Sequence, residues 1–286
     1  MRYGVSLFPL RATQIVEVAV AAEELGYDSV WLGEHVIAPQ AIASAYPYHP
    51  GTDGEPAFHA KLPFYDPYAA LGFVAAKTQR LLLAISVSIV PLHDPYHLAR
   101  SVATMDLFSE GRFLFGIGAG WLKEEFDLLG REWSDRGRRL EESLEVMVRL
   151  WNDSDPEFHG CFYDLPPAGL EPKPLTRPHP PFIFGGMSRA ALRRTAQLGD
   201  GWLGVGLEMA ETVAIADQLR KLRSDHGRGD EPLELTVSMS GLPNDGDVRR
   251  LEEAGIHRVV VRPWSRGRDA VAGIESAATA LIDKPA

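Results

Sequence analysis

Cysteine is almost absent: the 286 residues contain one, Cys161. An internal disulfide is excluded, and with no CxxC pair or Cys/His cluster the chain offers no expected metal site. Cys161 itself reads as a bystander thiol. Long apolar runs are missing too. None reaches the ~18 residues a bilayer span needs, and the first residues read as a strand rather than a leader. The expectation is a soluble, cytoplasmic protein. Basic charge is in deficit, with 29 Lys and Arg against 39 Asp and Glu and a formal net charge of −10. Binding a phosphate backbone requires clustered Lys and Arg, so nucleic acid is not an expected partner. A small molecule is.

What is present is ordinary globular material, 45% hydrophobic and 24% charged. One domain over residues 1–286 is long enough to bury a large core without staples. One junction recurs, a helix ending at glycine with a strand following at once. It occurs at Leu25-Gly26-Tyr27, Leu198-Gly199-Asp200 and Ala254-Gly255-Ile256, and more loosely at Glu110-Gly111-Arg112. Glycine past a helix end closes the last turn, and a short β-branched or aromatic run after it reads as a buried parallel strand. The repeat is a βα unit.

Strands are predicted near 2–8, 28–33, 81–88, 112–117, 181–185, 201–205, 233–239 and 257–262. Amphipathic helices fall between them, such as 13–25 and 136–151, with a last one near 268–282. Eight strands alternating with eight helices fit a closed (βα)8 barrel, with a doubly wound open sheet as the alternative. Two connections are long: 36–65 after strand two, and 152–180 before strand five with seven prolines. The first leaves the strand end where a barrel's active site sits, which suits a covering segment. The second reads equally as a dimer-forming or tolerated insertion.

The expected strand ends are rich in glycine and aromatics and poor in charge, which suits a flat ring lying against backbone. Glu34-His35 closes strand two and is the acid/base candidate: neighbours at a strand end point apart, so one faces the cavity and the other braces a neighbouring strand. Gly185-Gly186-Met187-Ser188-Arg189 reads as an anion site. Two glycines admit a phosphate, Ser188 caps a helix start, and Arg189, Arg193 and Arg194 could meet an anionic tail. Gly116-x-Gly118-x-Gly120 lacks the Rossmann spacing, since Trp121 follows, but implies close approach of something planar.

The stretch from Leu82 to Trp202 resembles the luciferase-like monooxygenase superfamily, in its branch using the deazaflavin coenzyme F420. The similarity rests on Ile85-Ser86-Val87, Asp94-Pro95 and Gly116-Ile117-Gly118-Ala119-Gly120-Trp121. Gly137-Arg138-Arg139-Leu140, Phe158-His159-Gly160, Pro181-Phe182-Ile183-Phe184-Gly185-Gly186 and the separate block Trp31-Leu32-Gly33-Glu34-His35 complete it. The resemblance implies a barrel, often dimeric, with Glu34 and His35 beside the cofactor ring. It further implies a non-proline cis peptide at Ser86-Val87 pressing on that ring, with Gly118 and Ala119 close by. Gly185, Gly186, Ser188 and Arg189 then hold the phosphate. Trp121 stands where some deazaflavin dehydrogenases carry an acidic glutamate, which argues against sugar-phosphate dehydrogenation.

The implied reaction is hydride exchange between F420 and a small hydrophobic substrate. His35 carries the proton, Glu34 orients His35 or holds the ring's polar edge, and Phe8, Trp121 and Trp264 wall the substrate. A reduced-FMN monooxygenase on the same barrel is the alternative. A non-catalytic flavin-binding barrel and a phosphate-dependent isomerase or aldolase are further ones, the last lacking the strand-end lysine it would need.

Overall fold

The computed structural model describes residues 1–48, 59–239 and 241–283. Eight strands form the barrel: β1 (Arg2–Ser6), β2 (Ser29–Leu32), β3 (Leu82–Ile85), β4 (Phe113–Gly118), β5 (Phe182–Gly185), β6 (Gly201–Val205), β7 (Glu234–Ser238) and β8 (Arg258–Val261). Each is parallel to its neighbours in chain order, and β8 closes on β1 with Arg2 opposite Arg258 and Val5 opposite Val261. The open-sheet alternative is excluded by that closure. A tilted, closed sheet leaves no unpaired edge.

The helices are α1 (Ala12–Glu24), α2 (Pro67–Ala75), α3 (Pro95–Phe108), α4 (Lys123–Leu128), α5 (Arg136–Asn152), α6 (Arg189–Leu198), α7 (Met209–Asp225), α8 (Asp245–Glu253) and α9 (Ala270–Leu281). Strict alternation predicts one helix per strand. The described residues instead carry two after β4, because short α4 precedes α5. Their starts follow local chemistry. The Asp66 carboxylate accepts from Ala69 N at α2, and Asp94 accepts from Tyr96 N and His97 N at α3, each with proline next in the first turn. Such caps satisfy backbone donors that a helix start leaves over.

Strand alternation divides the core in two. Val5, Val30, Leu83, Phe113, Phe115, Phe182, Trp202, Val237 and Val259 face outward and pack with helix residues such as Ile15, Val18, Leu98, Leu144 and Ile274. Trp31, Ala84, Leu114, Ile183, Leu203 and Val260 form a separate cluster. They are the inward residues of six strands, filling the barrel so that it is a packed core and not a pore. At the N-terminal end of the strands, fully buried Arg258 donates through Nε to both Asp28 oxygens, at 2.8 and 3.0 Å, and through Nη1 to Glu234.

One strand departs from expectation. The predicted 81–88 run breaks at Ser86-Val87, and the short piece Ser88–Ile89 resumes pairing against β4. The long connections are where the sequence places them. In 152–180 a two-residue ladder pairs Phe158 with Leu165 and His159 with Asp164. Of 36–65, residues 49–58 lie outside the described residues; the rest carries no helix or strand.

Candidate active site

All the strands run the same way, so the segments after β2, β3, β4 and β5 meet at one end of the barrel. The two residues closing β2 diverge as alternation predicts. Glu34 turns toward the resumed piece of strand three and is buried. Its Oε2 accepts from Ser88 Oγ at 3.0 Å, Ile89 N at 2.7 Å and His93 Nε2 at 3.0 Å, and the Tyr68 hydroxyl donates to Ser88 Oγ at 3.3 Å. Glu34 thus braces the chain just past the break. Burial opposes the charged His93 ring, but the hydrogen bond and charge of Glu34, with Asp66 and Glu125, outweigh it and raise the His93 pKa. Burial, and then the Glu34 charge, push the Tyr68 phenol well above its usual value.

His35 points the other way and is held by a residue the sequence reading did not single out. Its Nδ1 lies 2.8 Å from Oε2 of Glu125 in α4, a carboxylate with no solvent exposure. Oε1 of the same group accepts from Val36 N at 2.6 Å and Ile37 N at 3.2 Å. The expectation that Glu34 orients His35 is corrected: Glu34 is engaged with strand three, and Glu125 holds the imidazole. Its neighbour Glu124 accepts from Ala43 N, Ser44 N and Ser44 Oγ at 2.6 to 2.9 Å. Burial opposes the Glu124 charge, but these hydrogen bonds prevail and lower its pKa to about 2. The extra helix therefore ties down the insertion after β2 at two points. Helix α4 is anchored in turn by Phe126, buried against Ile89, Leu92 and Trp133. The available signal was the acidic pair Glu124-Glu125, four residues past the glycine-rich strand end.

Above His35 stands an aromatic group. Phe8 stacks on Phe64 at 4.8 Å, His35 meets Phe64 edge-on at 4.9 Å and Trp121 edge-on at 5.9 Å, and Tyr46 meets Trp121 at 5.1 Å. Tyr48 adjoins Tyr46 at 5.3 Å, and burial, then the Tyr46 group, push its phenol up to about 12. Phe8 and Trp121 were expected here. Tyr46, Tyr48 and Phe64 come from the 36–65 insertion, the segment expected to cover the site. Trp264 is half-buried and packs against the main core, its Cβ facing Gly273 of α9.

The Ser86–Val87 peptide is cis, as the resemblance implied. Val87 is half-buried beside three glycines. A Cβ on Gly118 would stand 2.5 Å from Val87 Cγ2, one on Gly185 2.9 Å from Cγ1, and one on Gly116 only 1.6 Å from the Ile85 carbonyl oxygen. The glycine run was expected to admit something planar. Within the protein its first two members make room for the break in strand three, while Gly120, with φ +86°, turns the chain toward α4. Ala119 is half-buried against the main core.

After β5, Gly186 takes φ +101°, a conformation L side chains rarely adopt, and Trp202 Nε1 donates to its carbonyl at 3.0 Å. Ser188 caps α6 by accepting from Ala191 N at 3.2 Å, as predicted. The first-turn N–H groups of a helix have no intrahelical acceptor, so this end of α6 suits an anion. Arg189 is exposed there. Arg194 is not available for a tail, because its Nε donates to Glu141 at 2.6 Å, and Arg193 lies 3.9 Å from the same carboxylate.

The sequence profile of the luciferase-like monooxygenase family matches residues 3–280. The chain belongs to that family. An uncharacterised Mycobacterium tuberculosis protein is 32% identical over 94% of this chain and 92% of its own length. The F420-dependent glucose-6-phosphate dehydrogenase of Amycolatopsis mediterranei is 32% identical over 68% of this chain and 55% of its own. The FMNH2-dependent dimethylsulfone monooxygenase of Pseudomonas putida is 33% identical over 53% and 42%. Among solved structures, the monooxygenase RslO1 of Streptomyces bottropensis superposes with a TM-score of 0.79 at 20% identity, covering 99% of both chains. An F420-dependent secondary alcohol dehydrogenase bound to an F420-acetone adduct does so at 0.77 and 18%, covering 98% of both. At such identities these two establish the shared fold.

Proposed function

We propose that this luciferase-like barrel is an oxidoreductase that exchanges hydride between coenzyme F420 and a small hydrophobic organic substrate. The observation that carries the reading is His35, pinned through Nδ1 to buried Glu125 and set edge-on against Phe64 and Trp121. The residues fit a phosphate-bearing planar ring: an aromatic and glycine-rich mouth with Val87 half-buried within it, and a capped α6 start after Gly185-Gly186. When bound, the deazaflavin supplies a ring carbon that gives or takes hydride. The chain's own part is to seat that ring, exclude water and move a proton. Val87 and the Gly185-Gly186 turn seat it, with Ser188 and Arg189 at the phosphate end. Phe8, Phe64, Trp121 and Tyr46 dry the substrate side, which strengthens electrostatic interactions there. His35 passes the proton that accompanies hydride, a role that contributes typically 10²–10⁴-fold. The name of the Amycolatopsis relative supports F420.

A reduced-FMN monooxygenase is the second reading, supported by the name of the Pseudomonas relative. Titrating the purified protein with F420 and with FMN, by fluorescence quenching or calorimetry, separates the two. F420 should bind; binding of FMN alone sinks the first reading. Reduced F420 with a panel of small apolar carbonyl and alkene compounds, followed by recovery of the oxidised cofactor's absorbance, then finds the substrate class. His35→Asn should lower that rate about 10²–10⁴-fold with cofactor affinity little changed. An unchanged rate removes His35 from the mechanism.

A further inference from the structure

We infer that Glu125 is the positioning residue of this site: it fixes the tautomer of His35 with the proton on Nδ1, so that proton exchange with a bound molecule runs through Nε2. The inference rests on the proton-transfer role given to His35 above. It stands on how the Glu125 carboxylate is held. Oε1 accepts from two consecutive backbone N–H groups, Val36 at 2.6 Å and Ile37 at 3.2 Å, which sets the rotation of the carboxyl group and turns Oε2 onto the imidazole at 2.8 Å. A carboxylate only accepts hydrogen bonds, so the ring nitrogen facing it has to be the N–H. A neutral imidazole carries one proton, which leaves Nε2 as the basic nitrogen. Phe64 and Trp121, both edge-on to the ring, limit its rotation.

The geometry also makes the site depend on the insertion. One carboxylate bridges the catalytic ring and the backbone that starts the 36–65 segment, and α4, which brings Glu125 there, is the helix that breaks the one-helix-per-strand rule. Glu34, adjacent in sequence to His35, has no part in this because its Oε2 is taken up by Ser88, Ile89 and His93. Glu125 acts on the reaction through His35 and touches no reacting atom.

The tautomer is read directly by long-range imidazole ¹H–¹⁵N spectra of full-length protein labelled with ¹⁵N-histidine, with His35→Asn identifying the signal among nine histidines. In the wild type without cofactor, the neutral His35 ring should show the Nδ1–H form. In Glu125→Gln the amide oxygen can still serve Val36 and Ile37, which leaves the amide NH2 to face Nδ1, so the ring should switch to Nε2–H. In the F420 reaction that variant should lose roughly 10²-fold or more in kcat, in line with the effect of removing a carboxylate that orients a catalytic imidazole, while the F420 Kd stays within about threefold. Glu125→Asp keeps an acceptor-only group and should restore the Nδ1–H form. An Nε2–H signal in the wild type, or an unmoved tautomer in Glu125→Gln, overturns the inference. The spectra need no cofactor, so their outcome is separate from a failure to bind F420, which would instead sink the hydride-transfer reading.

Discussion

Replacing Gly118 by alanine tests what the glycine-rich strand end is for. The added Cβ would stand 2.5 Å from Val87 Cγ2, about 0.9 Å inside ordinary contact at 3.4 Å. Val87 has little freedom to yield. It is β-branched, which makes its χ1 stiff, and its other methyl lies beside the backbone of Gly185 and Gly116. Overpacking of this size costs about 2 kcal/mol. Val87→Ala alone removes two half-buried methyls and costs about 1 kcal/mol. Were the two independent, the double variant would lose about 3 kcal/mol; with the overlap relieved it should lose only about 1 to 1.5, a coupling of at least about 1.5 kcal/mol. Urea unfolding followed by circular dichroism, with slopes matched across the four proteins, gives the cycle. Additivity within about 0.5 kcal/mol would refute the account, since contacting residues should couple and separate ones should not. Had Gly118 stayed small to admit a planar ligand, Gly118→Ala would weaken cofactor binding at no cost in stability, and Val87→Ala would rescue nothing.

Three further outcomes follow from other parts of the molecule. Arg258→Leu takes from Asp28 its buried guanidinium and leaves Glu234 paired with Arg2 alone; that remaining pair and the partial exposure of both acids set the loss near the low end of the range, about 3 kcal/mol, or a drop of roughly 6 °C or more by thermal scan. Glu124→Ala frees Ala43 and Ser44, so limited proteolysis should cut within 38–48 faster than in the wild type, while urea stability of the barrel stays within about 0.5 kcal/mol. His93 has a raised folded pKa because Glu34, Asp66 and Glu125 outweigh the burial that opposes its charge. Its contribution is therefore present in full below the unfolded value of about 6.5 and is lost as pH rises through the folded pKa. The stability gap between wild type and His93→Gln should shrink between pH 6 and pH 9; a gap that widens contradicts the sign.

The barrel was legible because its signals are local. Glycines closing four of the helices and the short β-branched or aromatic runs after them mark the repeating unit, and strand alternation alone separates the directions of Glu34 and His35. Ser188 as a cap and the break at Ser86-Val87 were legible for the same kind of reason, the one from helix-start chemistry and the other from resemblance. Glu125 was not, because nothing in the spacing of residue 125 and residue 35 says that α4 folds back over β2. Arg194 shows the opposite failure: a cation beside a phosphate-like loop reads as a ligand until Glu141, 53 residues earlier in the chain, takes its guanidinium.

By itself the sequence determined the eight βα units, the helix starts and the opposite directions of Glu34 and His35, because hydrophobic period, caps and glycine turns act over a few residues. The tertiary structure alone decided the partners. It joined His35 to Glu125 across 90 residues, set Val87 among Gly116, Gly118 and Gly185, and brought Tyr46 and Phe64 down beside Trp121 and His35. Which side chains meet across a barrel mouth depends on closure of the sheet and the register of its strands, and those are properties of the whole ring rather than of any stretch of it.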